Sequence, residues 1–302
     1  MEPIKVTFLG TSGSVPQKDK NFASVLVSYR GDVMLFDAPE GTQRQLMKSE
    51  HSMMSVNNIF ISHMHADHFL GLFGWISTMT LNQRKEKLTI WSPKGGAEKI
   101  KKIMKEVIFP CFEIEFKEIK KGNLIKNEFF EIRAFPLKHE ITCFGFSFKE
   151  ASKLGEFDRA KAEKLGIPAG PLYAKLVAGE KVKVNGKTFE QKDVMNYKKG
   201  REGRKVVIVA DTRPMKETIL EAKNAELLIH EATFLDSQKD KAIEALHSTT
   251  TEAAEIAHKA KVKKLALFHF SARNTNEAEI LSDAKKVFAS TIVPKELETI
   301  IL

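Results

Sequence analysis

The sequence predicts an α/β protein, built as one domain that is interrupted by an insert. Apolar strand patterns alternate with helical patterns in the first half of the chain, and the same alternation resumes near its end. Between about Ala151 and Arg204 lysines are frequent and apolar repeats are few. We therefore predict a domain formed by residues 1–150 and 205–302, with an inserted, weakly cored arm at 151–204.

The elements predicted before the insert are short strands that end at turn residues, with helical patterns between them. The strands are Ile4–Leu9, Ser24–Tyr29, Asp32–Asp37, Asn58–Ser62, Lys87–Trp91, Glu113–Glu118, Glu128–Pro136 and Thr142–Lys149. The helices are Glu40–Lys48, Phe69–Thr80 and Gly96–Val107.

After the insert, apolar strands and helices alternate strictly, as is typical of a parallel sheet covered by helices. The predicted strands are Val206–Ala210, Leu227–His230 and Leu265–Phe270. The predicted helices are Met215–Ala222, Thr251–Lys259 and Glu277–Phe288.

Composition and charge bound the possible functions. No apolar run reaches the ~18 residues that span a bilayer, and the N-terminal segment lacks the apolar stretch of a secretory signal. The two cysteines, Cys111 and Cys143, form no CxxC motif, so we expect a reducing, cytoplasmic setting. From Ala151 to Lys205 there are 14 Lys or Arg against 7 Asp or Glu. This segment is either a solvated lysine-rich surface or a surface for phosphates.

Residue types that bind metals follow the ends of several predicted strands. Side chains at strand ends project into one rim, where distant residues converge. Imidazoles and carboxylates together suit a cation such as zinc. The residues are His63, His65, Asp67, His68, His139, Asp211 and His269.

Their spacing predicts two adjacent ions. Histidines two residues apart, such as His63 and His65, can point at one ion, and the adjacent pair Asp67-His68 can address a second. A site with two ions also needs a bridging oxygen ligand, for which Asp211 is the candidate. A lone histidine at a strand end is usually structural, but this combination favours a metal site.

The HxHxDH motif at residues 63–68 resembles the signature of the metallo-β-lactamase superfamily. The resemblance implies an αββα sandwich and hydrolysis by a metal-bound hydroxide. It implies two zinc ions per chain, and manganese also suits mixed His/Asp ligation. By the superfamily pattern, one ion is bound by His63, His65 and His139, the other by Asp67, His68 and His269, and Asp211 bridges them.

Further motifs resemble the ribonuclease Z family along essentially the whole chain. The matching stretches are Phe8–Thr11 with Pro16, Phe36–Gln43, Ile61–Gly71, Ala210–Pro214, His230–Phe234 and His247–Thr249. The resemblance implies an endonuclease that removes the 3′ trailer of precursor tRNA, cutting 3′ of the discriminator nucleotide and leaving a 3′-hydroxyl. It also implies a homodimer.

Three residues are predicted to be catalytic. His247 precedes a capping-box pattern, Thr249 to Glu252, which would fix its position so that it protonates the leaving ribose oxygen. Glu231 would orient His247 and tune its pKa. Asp67 would serve both as a ligand and as a partner of the attacking hydroxide.

The insert is similar to a flexible arm, or exosite, that grips the tRNA elbow in this family. Gly166–Leu172 resembles the Gly/Pro-rich stretch of that arm, and flanking lysines would contact phosphates. Because structured RNA is read largely by shape and backbone, such a basic arm needs no base-reading motif.

Two other functions are open to this sequence. The first is a small-molecule phosphodiesterase or thioesterase of the same superfamily, against which the basic insert and the His247–Thr249 motif argue. The second is an RNA-binding protein without catalysis, against which the complete ligand set argues.

Overall fold

The computed structural model describes residues 2–15, 17–274 and 276–302, so Pro16 of the predicted N-terminal motif lies outside the described residues. The chain divides into two compact units. The larger unit contains Met1–Lys149 and Lys205–Leu302, and the smaller unit contains Glu150–Arg204.

The strands in the described part of the chain are short. In chain order they are β1 (Lys5–Gly10), β2 (Ser12–Gly13), β3 (Ser24–Tyr29), β4 (Asp32–Phe36), β5 (Val56–Phe60), β6 (Leu88–Ser92), β7 (Ile114–Glu118), β8 (Gly122–Lys126), β9 (Phe130–Leu137), β10 (Cys143–Glu150), β11 (Glu156–Phe157), β12 (Val182–Val184), β13 (Lys187–Phe189), β14 (Met195–Asn196), β15 (Lys205–Val209), β16 (Leu227–Glu231), β17 (Leu265–Phe268), β18 (Phe270–Ser271), β19 (Thr291–Ile292) and β20 (Thr299–Ile301).

Helices connect these strands. They are α1 (Thr42–Lys48), α2 (Ala66–Phe69), α3 (Gly71–Leu81), α4 (Gly96–Val107), α5 (Arg159–Lys164), α6 (Pro171–Val177), α7 (Gln191–Val194), α8 (Lys216–Ala222), α9 (Lys239–Glu244), α10 (Thr250–Ala260) and α11 (Glu277–Val287). Two turns of 3₁₀ helix lie at Tyr197–Lys199 and Asp236–Gln238.

The larger unit contains two seven-stranded sheets. The first has the strand order β20-β1-β3-β4-β5-β6-β7, and the second has the order β19-β17-β16-β15-β10-β9-β8. Strands β4 to β7 are parallel in the first sheet, and β15, β16, β17 and β19 are parallel in the second. Parallel neighbours end at the same edge of a sheet, so the loops that follow them meet there.

The two sheets pack face to face on one apolar layer. Alternate residues of each strand enter this layer, as period-two side-chain alternation requires. In β15, for example, Val206 and Ile208 face it, while Val207 and Val209 face the opposite side. The ring of Phe36 in the first sheet lies 5.3 Å from that of Phe146 in the second.

Helices cover the two outer faces. Buried residues of α1, α3 and α4 pack on the first sheet, and buried residues of α8, α10 and α11 pack on the second. The unit therefore has four layers in the order helix, sheet, sheet, helix, and the predicted αββα sandwich is confirmed.

The smaller unit has an apolar core of its own, although its sequence predicts a weakly cored arm. Six buried side chains form this core: Ala162, Ile167, Leu176, Val182, Phe189 and Val194. At the ends of the unit, the Glu150 carboxylate accepts hydrogen bonds from the guanidinium groups of Arg201 and Arg204 over 2.6 to 2.9 Å. The local pattern missed this order because each short element contributes only one or two apolar residues.

Among the residues that the structure describes, none of the helices has the length and apolar character needed to cross a membrane.

Candidate metal centre and catalytic site

The predicted site residues lie at the ends of strands, or in the segments that follow them, at one edge of the two sheets. His63 and His65 follow β5, and Asp67 and His68 lie in the short helix α2. The second sheet contributes His139 after β9, Asp211 after β15, Glu231 at the end of β16 and His269 after β17. His247 lies in the loop before α10.

A first group of four donors contains His63, His65, His139 and Asp211, whose ligand atoms all lie within 4.8 Å of one another. Nδ1 of His65 is 3.0 Å from Nε2 of His63 and 3.3 Å from Nε2 of His139. A zinc-type cation binds nitrogen and oxygen at about 2 Å, so donors spaced in this way can surround one ion.

A second group of three donors contains Asp67, His68 and His269, again within 4.8 Å of one another. Oδ2 of Asp67 is 3.7 Å from Nε2 of His68 and 3.8 Å from Nε2 of His269. Burial alone would raise the pKa of Asp67, but the neighbouring His269 and His68 and the Ser14 amide lower it well below its usual range. The carboxylate is therefore ionised and can bind a cation.

Asp211 lies between the two groups and faces both. Its Oδ2 is 3.6 Å from Nε2 of His63 and 3.8 Å from Nε2 of His139. Its Oδ1 is 3.7 Å from Nε2 of His68 and 3.2 Å from Nε2 of His269. Each oxygen of one carboxylate thus addresses a different group, which is the geometry that a bridging ligand needs.

Three buried polar atoms at this centre have no hydrogen-bond partner in the described part of the chain. They are Oδ1 of Asp211, Nε2 of His68 and Nε2 of His269. Buried polar atoms are rarely left unpaired, and each unpaired atom needs an explanation. Because all three belong to the donor groups, a bound cation explains them, and the residues present fit a divalent metal that accepts nitrogen and oxygen ligands.

Asp37 holds two residues of the centre by hydrogen bonds, and the sequence analysis did not assign it a role. Its Oδ2 is 2.8 Å from Nδ1 of His68, and its two oxygens accept hydrogen bonds from the amide and the hydroxyl of Ser62 at 2.7 and 2.8 Å. The Ser62 hydroxyl is 2.9 Å from Nδ1 of His63. Held at Nδ1, both imidazoles turn Nε2 towards the donor groups.

The signal for Asp37 was present, because it is a carboxylate that directly follows a buried strand, as Asp211 does. Its charge acts on His68. Burial alone would lower the pKa of His68, but the carboxylates of Asp211 and Asp37 raise it to about 10. In the metal-free protein this imidazole is therefore protonated, and a metal must displace the proton to bind.

The N-terminal loop holds the second group in place. The Ser14 amide donates to Oδ2 of Asp67 at 2.9 Å. Gly13 lies against His269 so closely that a Cβ at this position would be 2.5 Å from the ring. This loop therefore makes two contacts with site residues.

Glu231 and His247 form a buried pair beside the donor groups. Oε1 of Glu231 is 3.1 Å from Nδ1 of His247, and it accepts from the amides of Thr212 and Ser248 at 3.0 and 2.8 Å. The other nitrogen of His247, Nε2, lies 3.9 Å from Oδ2 of Asp211. The pair therefore presents Nε2 of His247 to the donor groups.

Comparison with known proteins now identifies the family. Ribonuclease Z of Archaeoglobus fulgidus is 44% identical over 297 residues, which cover 97% of this chain and 96% of that protein. Ribonuclease Z of Methanosarcina acetivorans is 40% identical over 296 residues, with 97% and 96% covered. The chain belongs to the ribonuclease Z family. The resemblance predicted from the sequence is confirmed, and with it the assignment as a hydrolase.

Solved structures agree with this family and with the metallo-β-lactamase fold. The short form of human tRNase Z superposes with a TM-score of 0.70 at 27% identity, covering 98% of each chain. A metallo-β-lactamase fold protein of Bacillus subtilis, YhfI, superposes with a TM-score of 0.73 over 100% of each chain, and its 18% identity shows the fold alone. A family model described as "Anti-Pycsar protein Apyc1" matches residues 4–149.

The pKa of His247 differs in direction from those of two imidazoles in the first donor group. Burial lowers the pKa of His247, but the Glu231 carboxylate outweighs this effect and raises it to about 9. Burial lowers the pKa of His63 and of His139. At neutral pH His247 therefore holds a proton, whereas His63 and His139 are neutral and ready to bind a metal.

The loop that carries His247 is anchored by the predicted capping box. Thr249 Oγ1 accepts from the Glu252 amide at 3.2 Å, and the Glu252 carboxylate accepts from the Thr249 amide at 3.0 Å. The Arg213 guanidinium donates to Glu252 and to the backbone carbonyl of His247. Arg213 follows Asp211 by two residues, so one ion pair ties the two loops together.

Proposed function

We propose that the protein is a metal-dependent endoribonuclease that removes the 3′ trailer of precursor tRNA, cutting 3′ of the discriminator nucleotide. The observation that carries the proposal is the Glu231–His247 pair, which lies beside two donor groups in a chain 44% identical to a ribonuclease Z over 97% of its length. Hydrolysis that leaves a 3′-hydroxyl must protonate the leaving ribose oxygen, and this pair offers a proton beside the metal centre.

We assign the first cation to His63, His65 and His139, the second to Asp67, His68 and His269, and Asp211 to both. The distances within each group and the three unpaired buried atoms support this assignment. We propose zinc, with manganese as the alternative that the same ligands suit. When bound, such cations activate a water molecule for attack on phosphorus and stabilise the charge that develops on its oxygens.

The chain's own residues would then move the protons. Nε2 of His247 would protonate the 3′ oxygen of the discriminator ribose as its bond to phosphorus breaks. Glu231 would hold Nδ1 of the same ring and stabilise its protonated form. Asp67 would accept a hydrogen bond from the attacking water. As the water oxygen forms its bond to phosphorus, the water would lose one proton through this carboxylate to solvent.

We propose that the smaller unit, Glu150–Arg204, contacts the tRNA backbone. Seven of its lysines are exposed and form no ion pair with any residue that the structure describes: Lys153, Lys161, Lys164, Lys175, Lys183, Lys187 and Lys198. Exposed lysines without an acidic partner are available to phosphates, and their contacts weaken as salt rises.

We also propose a homodimer, as the family resemblance implies. Sedimentation velocity over a range of protein concentrations tests it, and a single species of monomer mass at every concentration would contradict it.

A small-molecule phosphodiesterase is the second candidate. The family model that matches residues 4–149 supports the fold common to both functions, but the match ends before Asp211, Glu231, His247 and His269. The two candidate functions differ in whether precursor tRNA is hydrolysed faster than a simple phosphodiester, so the turnover of these two substrates should be compared.

The deciding experiment incubates the metal-loaded protein with a precursor tRNA that carries a 3′ extension. We expect one cut after the discriminator nucleotide, a 3′-hydroxyl on the tRNA and a 5′-phosphate on the trailer, as mapped by primer extension and end labelling. If the protein cleaves bis(p-nitrophenyl) phosphate but leaves precursor tRNA intact, the proposal is contradicted and the small-molecule enzyme is favoured. Without cleavage of either substrate, both proposals fail.

A further inference from the structure

Thr233 lies between the proposed metal ligand His269 and the Glu231–His247 pair. Its hydroxyl oxygen is 2.8 Å from Oε2 of Glu231, 3.0 Å from Nδ1 of His269 and 3.1 Å from Nδ1 of His247. One hydroxyl group thus contacts three side chains of the site.

The hydrogen-bond partners of Glu231 decide where the hydroxyl proton goes. The carboxylate accepts from the amides of Thr212 and Ser248 at one oxygen and from the Thr233 amide at the other. Because these amides can only donate, both oxygens of Glu231 act as acceptors. The single proton of the Thr233 hydroxyl is therefore donated to Glu231, and its oxygen is left to accept from the two imidazoles.

This direction fixes the tautomer of the neutral His269 imidazole. Its Nδ1 must carry a hydrogen to donate to Thr233, so in the neutral ring Nε2 carries the lone pair. Nε2 of His269 is the atom that lies 3.2 Å from Oδ1 of Asp211 and has no hydrogen-bond partner among the described residues. The lone pair therefore faces the donor groups, where a cation would take it.

Thr233 is itself held firmly. It is 3% exposed, and its carbonyl accepts from the Ser271 amide at 3.2 Å and from the Asn274 side chain at 3.1 Å. The hydroxyl is therefore presented to His269 in a fixed direction, and the segment that follows His269 contributes to holding it.

We propose that Thr233 is a positioning residue whose hydroxyl fixes the tautomer of His269 and so tunes the affinity of the second donor group for its cation. The inference rests on the assignment of His269 as a ligand in the proposed function. Removal of the hydroxyl would leave the buried Nδ1–H without an acceptor. The imidazole would then favour the other tautomer, whose proton on Nε2 blocks the metal.

Three variants test the proposal. Thr233→Val replaces the hydroxyl by a methyl group of similar size, and Thr233→Ser keeps the hydroxyl. Thr218→Val is the matched control, because Thr218 in α8 is also fully buried but its hydroxyl has no partner within the described residues. The metal-free proteins are titrated with Mn²⁺ in a calorimeter, and their thermal unfolding is recorded without metal.

We expect Thr233→Val to weaken the binding of Mn²⁺ to the second donor group by ~10–100-fold, the range typical of residues that hold metal-ligating histidines. Thr233→Ser and Thr218→Val should bind Mn²⁺ as the parent protein does. Unchanged affinity in Thr233→Val overturns the proposal, as does an equal loss in Thr233→Ser or Thr218→Val. These titrations use no RNA, so failure here is distinct from failure of the parent enzyme to cleave precursor tRNA.

Discussion

The carboxylate of Asp37 accepts a hydrogen bond from Nδ1 of His68 over a distance of 2.8 Å, and both side chains are buried. Asp37→Asn would place an amide nitrogen or a weaker acceptor opposite this imidazole. We expect metal affinity to fall by ~10–100-fold, as for other groups that orient metal-ligating histidines. Competition with a chromophoric chelator measures it. Asp32→Asn, at the exposed start of β4, the strand that Asp37 follows, is the control, and equal affinities of the two variants would exclude this role for Asp37.

Asp211→Ala removes the carboxylate that faces both donor groups. We expect the variant to lose metal from both groups, because each group then loses the oxygen of Asp211 and the two cations repel each other without that carboxylate between them. Elemental analysis after dialysis measures the content. The exposed Asp240 offers the control variant Asp240→Ala. If Asp211→Ala keeps the full metal content and activity, the assignment of the site is wrong.

His247→Ala should lower the single-turnover rate of precursor tRNA cleavage by ~10²–10⁴-fold, the usual contribution of a general acid. Metal content should stay unchanged, because His247 belongs to neither group that we assign to a cation. The exposed His258 provides His258→Ala as a matched control. An unchanged rate of the chemical step in His247→Ala removes this residue from the mechanism.

The metal-free protein should lose stability as the pH rises. The pKa values of His68 and His247 are raised from 6.5 to about 10 and about 9 in the folded state. Their protonated forms therefore stabilise the fold fully below pH 6.5, and this contribution disappears as the pH rises through 9 to 10. A bound cation replaces the proton on His68, so the metal-loaded protein should lose less. Urea unfolding of both forms across this range measures the difference, and parallel curves would refute the prediction.

Replacing Ser152–Gly203 by a short flexible linker should separate RNA binding from chemistry. All proposed ligands lie outside this segment, so metal content and turnover of bis(p-nitrophenyl) phosphate should persist. Binding of precursor tRNA should weaken, and its dependence on salt should flatten as phosphate contacts are lost. Equal loss on both substrates would mean that the segment supports the active site instead.

A subtler variant changes only charge. This variant replaces five exposed lysines of the smaller unit by Gln: Lys161, Lys164, Lys175, Lys183 and Lys187. We expect it to show the same flatter salt dependence of tRNA binding without a change in the fold of the unit. The control replaces the exposed lysines of α4, Lys99, Lys101, Lys102 and Lys105. If both sets change tRNA binding equally, the effect comes from net charge and not from a surface on the insert.

The sequence predicted most of the sandwich because its strands are locally apolar and its helices have one apolar face. Outside the insert, each predicted helix and strand has a counterpart whose bounds differ by two residues or fewer. Among the elements that were not predicted are strands β8 and β20. Gly122–Lys126 is a partly exposed edge strand, and Thr299–Ile301 pairs with β1. Pairing between segments so distant in the chain leaves no periodic signal in either one.

The same reasoning explains what was missed at the site. The positions of the metal-binding residue types were visible because each follows an apolar strand. The roles of Asp37, Ser62 and Thr233 depend on which imidazole nitrogen each one meets. Spacing along the chain cannot give that information, because the partners lie 31 residues apart in one case and 36 in another.

Each donor group draws its members from both sheets. His63 and His65 follow the first sheet, whereas His139 and Asp211 follow the second. In the other group, Asp67 and His68 come from the first sheet and His269 from the second. A cation in either group would therefore cross-link the two sheets, and the sheets could not separate at this edge without releasing it. The availability of metal would thus change the free energy of unfolding as well as the activity of the site, since ligands that bind only the folded state stabilise it.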